Sequence, residues 1–153
     1  MARIRLEING KKITKEVSDN TMLSDFLRDK LALTGTHVGC DTSQCGACVV
    51  HLDGDSVKSC TTLVADCDGS EIITIEGLAN NGKMHPMQEA FKKHHGLQCG
   101  FCTPGMVMSA VDLLQKNKNP SEQEIRDWLE GNICRCTGYQ GIVAAVKDVA
   151  SKM

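Results

Sequence analysis

The sequence predicts an α+β protein whose first half is built mainly from strands and whose second half is built from helices. Up to about residue 78, apolar side chains alternate with polar ones, as in half-buried strands. Beyond residue 83 they recur every three or four positions, as on the inward face of a helix. Residues 80–83, Asn-Asn-Gly-Lys, form a polar, turn-rich break. We therefore expect two domains, at residues 1–78 and residues 83–153.

Composition narrows the class of protein further. A chain of 153 residues can form one ordinary domain or two small ones. Its formal net charge of −2 does not indicate nucleic acid or an anionic membrane surface as a partner. No apolar run approaches the roughly 20 residues of a transmembrane helix, and the N-terminal residues lack the apolar core of a signal peptide. We expect a cytoplasmic protein.

The first half begins with a strand and a hairpin. Residues 3–8 alternate strictly between charged and aliphatic side chains, so they form a half-buried strand. Asn9 and Gly10 are a strong signal for a tight hairpin turn. Ile13 and Val17 then continue the inward face on a second strand.

A helix, a loop and three further strands complete the first half. Residues 19–31 carry large apolar side chains at helical spacing. Residues 39–48 are small and turn-forming, which predicts a loop. Asp53 and Gly54 give a second hairpin signal. The strands are predicted at residues 49–52, at residues 56–59 closed by Cys60, and at residues 71–76.

The first two helices of the second half have clear signals. Pro86 begins the first helix, and Gly96 stops it. Thr103 is expected to be the N-cap of the second helix, with Pro104 as its first helical residue. Residues 106–114 contain few polar side chains, so this helix should be buried nearly all round.

The last two helices each carry a predicted capping box, in which an N-cap side chain and the side chain three residues later bond each other's backbone. Ser121 and Glu124 form the first such pair, and Thr137 and Gln140 form the second. The residues expected to face inward from the third helix are Ile125, Trp128 and Leu129.

The chain contains nine cysteines, which is many for its length. Disulfides are rare in reducing compartments, and a disulfide framework would leave one cysteine unpaired. Metal binding is therefore the favoured interpretation. Eight of the nine fall into two sets, Cys40, Cys45, Cys48 and Cys60, then Cys99, Cys102, Cys134 and Cys136.

The first set opens with the spacing C-x4-C-x2-C, which is typical of plant-type [2Fe–2S] ferredoxins. Three ligands then come from one tight loop, and Cys60 supplies the fourth from a neighbouring strand. Gly39, Gly46 and Ala47 are small enough for backbone N–H groups to approach the cluster sulfurs, and such hydrogen bonds help to set the reduction potential.

The second set has the spacing C-x2-C, then C-x-C after a long interval. Each pair lies in a turn before a predicted helix, whose positive N-terminal end favours an anionic metal centre. A structural zinc site is the alternative, although the C-x-C pair fits zinc less well than a second C-x2-C would. A Rieske centre is excluded because no histidine lies within either set.

Three motifs stand in order along the chain: GCDTSQCGAC at residues 39–48, GLQCGFCTPG at residues 96–105 and EGNICRCTGY at residues 130–139. Together they resemble the small iron–sulfur subunit of the xanthine oxidase family of molybdenum hydroxylases. The resemblance covers almost the whole chain. Within the family, the run at residues 40–43 is most similar to the small subunit of aerobic carbon monoxide dehydrogenases.

The resemblance implies a β-grasp, plant-type ferredoxin-like domain followed by a four-helix domain, each holding one [2Fe–2S] cluster. It also implies two partners, a large subunit with a molybdenum–pterin cofactor and a medium subunit with FAD, in a dimer of heterotrimers. Electrons would cross this chain from molybdenum to FAD, with the helical-domain cluster nearer the molybdenum. Gln98 matches a family residue that hydrogen-bonds the pterin. No substrate-converting site is expected in this chain.

Several alternatives stay open on the sequence. The chain could be a free-standing two-cluster ferredoxin, or a zinc-stabilised interaction module without redox activity. Gln98 could simply be solvated, and Arg135, which lies between two cysteines of the second set, could either tune a cluster or face solvent. Cys67 belongs to neither set and is expected to be a small buried thiol.

Overall fold

The structure is a computed structural model that describes all residues from Met1 to Met153, and it combines a five-stranded sheet with five helices. This confirms the predicted α+β class. None of the helices is long and apolar enough to cross a bilayer. The strands are β1 (Ala2–Ile8), β2 (Lys11–Val17), β3 (Val49–Leu52), β4 (Asp55–Lys58) and β5 (Glu71–Ile73). The helices are α1 (Leu23–Asp25), which continues as a π-helical turn (Phe26–Lys30), α2 (Pro86–Lys93), α3 (Thr103–Lys116), α4 (Glu122–Trp128) and α5 (Gln140–Ala150).

The sheet is mixed, with strand order β2-β1-β5-β3-β4. The central pair β1 and β5 is parallel, and the other neighbours are antiparallel. Both predicted hairpins are confirmed, since Ile8 pairs with Lys11 and Leu52 pairs with Asp55. The predicted alternation in β1 is also confirmed. Ile4, Leu6 and Ile8 are buried in the same apolar cluster as Leu23 of α1.

Three element boundaries in the first half differ from the prediction. Helix α1 begins only at Leu23, because Met22 is extended and forms an isolated bridge with Leu63. Strand β4 ends at Lys58, so Cys60 lies in a 3-10 turn (Ser59–Thr61) rather than in a strand. Strand β5 stops at Ile73 and is followed by a 3-10 turn (Ile75–Gly77).

The four later helices form where they were predicted, and Thr103 and Trp128 differ from the prediction. All residues of α3 from Gly105 to Leu114 are buried, as expected. Part of α3 packs against β3 and β4 of the sheet. Thr103 is not the N-cap of α3, because Cys102 occupies that position. Trp128 was expected to be buried but is 37% exposed, and its indole Nε1 donates to the Ser109 carbonyl at 3.0 Å. The capping box of Ser121 and Glu124 is confirmed.

Buried apolar side chains form two separate clusters. A cluster of 11 residues lies between the sheet and α1, with Phe26 and Ile72 fully buried in it. A cluster of 17 residues joins the four later helices around Phe91, Met106 and Ile142. The connecting segment packs on the helical cluster through Ile75 and Leu78. Each half therefore has a core of its own.

Polar contacts join α3 to the edge of the sheet, and we call these contacts the α3–sheet joint. The ring Nε2 of His51, on β3, lies 2.8 Å from the Met108 carbonyl and is buried. Asp112 Oδ2 accepts the backbone N–H of Ser56 on β4 at 3.0 Å. Lys116 Nζ then lies 2.9 Å from Asp112 and 2.8 Å from Asp55.

The carboxylate of Asp112 is the centre of this joint. Its side chain is only 1% exposed. Burial acts to raise the pKa of Asp112, but the hydrogen bonds from Ser56 and Lys116 outweigh it, so the pKa is lowered overall. The carboxylate stays ionised at neutral pH and holds the β4 backbone to α3.

Removing the Asp112 carboxylate should weaken the attachment of α3 to the sheet and lower the free energy of unfolding. Asp112→Ala leaves the partly buried Ser56 N–H without this acceptor, which costs about 1–3 kcal/mol of unfolding free energy. Asp55→Ala removes a partner of the same lysine, but Asp55 is 71% exposed, and we expect a loss below about 1 kcal/mol. Urea unfolding of the metal-loaded chain measures both. Equal losses would show that the buried hydrogen bond contributes nothing beyond the surface ion pair.

Candidate metal centres

The first cysteine loop, residues 39–48, wraps around the sulfur of Cys40. The backbone N–H groups of Cys45, Thr42 and Gln44 donate to Cys40 Sγ at 3.3, 3.4 and 3.4 Å. These donors, that of Cys45 above all, lower the pKa of the Cys40 thiol to about 6. Left-handed backbone at Asp41, with φ of 51°, helps to turn the amides inward. The loop therefore stabilises a thiolate at this position.

Cys48 and Cys60 form a second pair, which is buried. Cys48 directly precedes β3, and Cys60 lies in the 3-10 turn after β4. Ser59 connects the two segments, because its Oγ donates to the Cys48 carbonyl at 2.7 Å. Burial, and then the neighbouring Cys60 thiol, raise the pKa of Cys48 to about 11. The prediction that Cys60 comes close to the loop agrees with this geometry, although Cys60 does not lie in a strand.

The second set lies in two turns, one before α3 and the other before α5. The Sγ atoms of Cys99 and Cys136 are 3.5 Å apart, and both residues are exposed. Cys102 and Cys134 form the other pair and are less exposed. Burial, together with the adjacent Cys134, raises the pKa of Cys102 to about 12. The turns before α3 and α5 therefore meet at these cysteines.

Three pairs of thiols lie close together: Cys99 with Cys136, Cys48 with Cys60 and Cys102 with Cys134. Cys45 approaches Cys40 through its backbone N–H. No three Cys, His, Asp or Glu side chains are placed to hold a single metal ion. A structural zinc site brings its four ligands around one ion, at about 2.3 Å for each sulfur. A [2Fe–2S] cluster instead divides four thiolates between two irons. The all-thiol donor sets and their paired arrangement thus fit a two-iron cluster better than a zinc ion.

The turn around Cys134 is held by Tyr139, which the sequence did not single out. Tyr139 Oη accepts the backbone N–H of Cys134 at 2.8 Å and donates to the Asn132 carbonyl at 2.9 Å. The predicted capping box of Thr137 and Gln140 is wrong. Tyr139 takes the N-cap position of α5, with a left-handed φ of 68°. Thr137 Oγ1 instead accepts the Tyr139 N–H at 3.2 Å and lies 3.1 Å from Cys134 Sγ.

The two cysteine regions touch each other directly. The N–H of Ile133 donates to the Cys45 carbonyl at 2.8 Å, and Asn132 Nδ2 donates to the Gly46 carbonyl at 3.2 Å. Gly46 has φ of 71°, and a Cβ there would clash with the Gly131 carbonyl. Gly105 faces Gly46 from α3, so a Cβ there would clash with the Gly46 carbonyl. Small residues let the two loops meet. Asn132 is buried in this contact and was not identified from the sequence.

Gln98 lies beside the exposed pair of the second set. Its Nε2 donates to the Cys136 carbonyl at 3.0 Å, and the side chain is exposed. Three large apolar residues around these cysteines are also exposed: Leu97, Phe101 and Ile133. Phe101 additionally stacks on His37 at a centroid distance of 4.8 Å. Gln98 and these exposed apolar residues therefore lie close in sequence to the exposed cysteines of the second set.

Cys67 and Arg135 belong to neither set of four cysteines. Cys67 is 1% exposed, and its sulfur contacts only the Leu63 carbonyl among hydrogen-bond partners. This agrees with the expected small buried thiol. Arg135 is exposed and forms no salt bridge within the chain.

Comparison with known proteins agrees with the division into two cysteine sets. Residues 6–74 match the family described as 2Fe-2S iron-sulfur cluster binding domain. Residues 74–147 match the family described as [2Fe-2S] binding domain. The first of these segments contains Cys40 to Cys60, and the second contains Cys99 to Cys136.

Relatives with known names match over nearly their whole length. The nicotine 6-hydroxylase small subunit of Paenarthrobacter nicotinovorans is 49% identical, over 98% of this chain and 90% of the relative. Caffeine dehydrogenase subunit gamma of Pseudomonas sp. strain CBB1 is 47% identical, over 96% of this chain and 90% of the relative.

The fold matches solved structures equally well. The structure of quinoline 2-oxidoreductase from Pseudomonas putida 86 has a TM-score of 0.94 at 44% identity, covering 97% of this chain and 92% of that one. Aldehyde oxidoreductase from Desulfovibrio gigas also has a TM-score of 0.94, at 45% identity, but this chain covers only 17% of it. The closer likeness to carbon monoxide dehydrogenases stays a prediction. By sequence and by fold, the chain belongs to the small iron–sulfur subunits of the xanthine oxidase family of molybdenum hydroxylases.

Proposed function

We propose that the eight paired cysteines hold two [2Fe–2S] clusters in this electron-transfer subunit of an oxidoreductase complex. The observations that carry the proposal are the close thiols of Cys48 with Cys60, Cys99 with Cys136 and Cys102 with Cys134, together with the backbone N–H of Cys45 on Cys40 Sγ. In one cluster, Cys40 and Cys45 hold one iron, and Cys48 and Cys60 hold the other. In the second cluster, the pairs are Cys99 with Cys136 and Cys102 with Cys134. Each cluster, when bound, takes up and returns one electron at a time.

The chain's own residues set the distance between the two sites. Ile133 directly precedes Cys134 of the second set. Its backbone N–H donates to the carbonyl of Cys45, in the first set, at 2.8 Å. The α3–sheet joint, with Asp112 at its centre, prevents the halves from moving apart. A short, fixed distance between the two sites suits electron transfer, because the chain need not rearrange when an electron passes between them.

The exposed end of the second set is the proposed contact with the large molybdenum–pterin subunit. Cys99 and Cys136 are exposed there and are bordered by apolar side chains, and exposed apolar patches mark docking surfaces. The Gln98 amide nitrogen is held by the Cys136 carbonyl, so its oxygen is free to accept from the pterin. The medium FAD subunit then lies nearer the residue 39–48 loop, in a dimer of heterotrimers.

The proposed division into two domains rests on the two apolar cores, and Ile75 and Leu78 at the boundary pack on the helical core. Residues 1–78 form a β-grasp, plant-type ferredoxin-like domain, and residues 83–153 form a four-helix domain. The cores of 11 and 17 buried residues support this division. A cytoplasmic location is proposed on the cysteine content, because free thiols persist in reducing compartments.

Metal analysis tests the ligand assignment. We expect four irons and four acid-labile sulfides per chain, with visible absorption, because both sets have four thiols. Cys67→Ser, which changes the cysteine outside both sets, should keep all four irons. Two irons per chain, or stoichiometric zinc in a colourless protein, would contradict the assignment.

Hydrogen exchange tests the two domains. Cys45→Ser should remove one cluster and reduce amide protection mainly in residues 1–78, since metal binding adds to the folding free energy of a loop with few apolar contacts. Cys136→Ser is the reciprocal variant and should mainly affect residues 83–153. Equal loss of protection in both halves, in both variants, would count against separate domains.

EPR of the assembled, partly dithionite-reduced complex tests the order of the sites. The cluster nearer the molybdenum should show the stronger magnetic interaction with it. Cys136→Ser should abolish that interaction, whereas Cys48→Ser should preserve it, because it leaves the second set intact. The order would be reversed if the interaction survived in Cys136→Ser and disappeared in Cys48→Ser.

A further inference from the structure

The hydroxyl of Thr137 lies between a backbone donor and a cysteine sulfur. Its Oγ1 accepts the N–H of Tyr139 at 3.2 Å and lies 3.1 Å from Cys134 Sγ. A metal-bound cysteine is a thiolate and has no proton to give. With a thiolate at Cys134, the Thr137 hydroxyl is the donor in this contact and its O–H points toward the sulfur.

The local backbone holds Thr137 in this place. Gly138 and Tyr139 both have left-handed backbone, with φ of 64° and 68°. This conformation turns the chain so that Thr137 faces back toward Cys134 instead of capping α5. The Tyr139 hydroxyl fixes the other side of the turn through the Cys134 N–H at 2.8 Å. The threonine hydroxyl is thus held by two contacts, the Tyr139 N–H and Cys134 Sγ.

The bond lies in a protected environment. Cys134 is 9% exposed, and Thr137 is half-buried. Electrostatic effects of a hydrogen bond are larger away from water, because the local dielectric is low. The opposite pair of this set, Cys99 and Cys136, is exposed. A single hydroxyl at Cys134 can therefore act more strongly on the site than one facing solvent.

We propose that Thr137 is a positioning and tuning residue whose hydrogen bond to Cys134 Sγ raises the reduction potential of the second-set cluster. The inference rests on the proposed cluster assignment. Reduction adds one negative charge to the cluster and its thiolates. A donor to a ligand sulfur stabilises the reduced state more than the oxidised state, and the potential rises.

The test is a redox titration of the metal-loaded chain, followed by EPR. Thr137→Val removes the hydroxyl at nearly constant volume, and Thr137→Ser keeps it. We expect Thr137→Val to lower the equilibrium constant for reduction of one cluster roughly tenfold, which is about 59 mV for one electron. Thr137→Ser should titrate like the unaltered chain. Repeating the comparison in a Cys48→Ser background, which retains the second set, identifies the cluster that shifts.

The outcomes separate this inference from the cluster assignment. A chain that takes up no iron would contradict the cluster assignment. Intact clusters with an unchanged reduction potential in Thr137→Val would contradict only the tuning role of Thr137. A shift in Thr137→Ser as large as in Thr137→Val would indicate packing and would also overturn it. Thr137→Ala is the second variant. Loss of iron from both Val and Ala variants would mean that Thr137 assembles the site rather than setting its potential.

Discussion

The contact between the two cysteine loops is the constraint on which the rest of this structure depends. In this contact the backbone N–H of Ile133 donates to the Cys45 carbonyl, and the side-chain amide of Asn132 donates to the Gly46 carbonyl. Backbone atoms can approach this closely only because Gly46 and Gly105 have no Cβ. The α3–sheet joint stabilises the same arrangement from the other end of β3. The two sites are thereby held close together, although each half has its own apolar core.

The two sites differ in their exposure, and this difference has a physical consequence. Cys48 and Cys60 are buried, whereas Cys99 and Cys136 lie at the surface with exposed apolar neighbours. Burial raises the pKa of the Cys48 thiol, so a bound metal must displace its proton there. The surface pair can instead be covered by another protein. In the proposed complex, binding of a partner completes the shielding that this chain lacks around its second site.

Local sequence signals failed where a side chain had a competing partner. Thr137 has the spacing of a capping residue, but the left-handed turn at Gly138 and Tyr139 brings its hydroxyl to Cys134 instead. Trp128 lies on the inward face by periodicity, yet its N–H bonds the Ser109 carbonyl and leaves the ring partly exposed. Propensity and periodicity describe one element at a time, so contacts between elements override them.

The sequence by itself determined the class of fold, the two sets of four cysteines and the family, because these depend on periodicity and on ligand spacing along the chain. It also indicated both hairpins, since Asn-Gly and Asp-Gly favour the required positive φ. Only the tertiary structure decided which thiols pair, that the two loops meet, and that His51 and Asp112 join the halves. Those features arise between residues distant in sequence, and no local pattern encodes their distances.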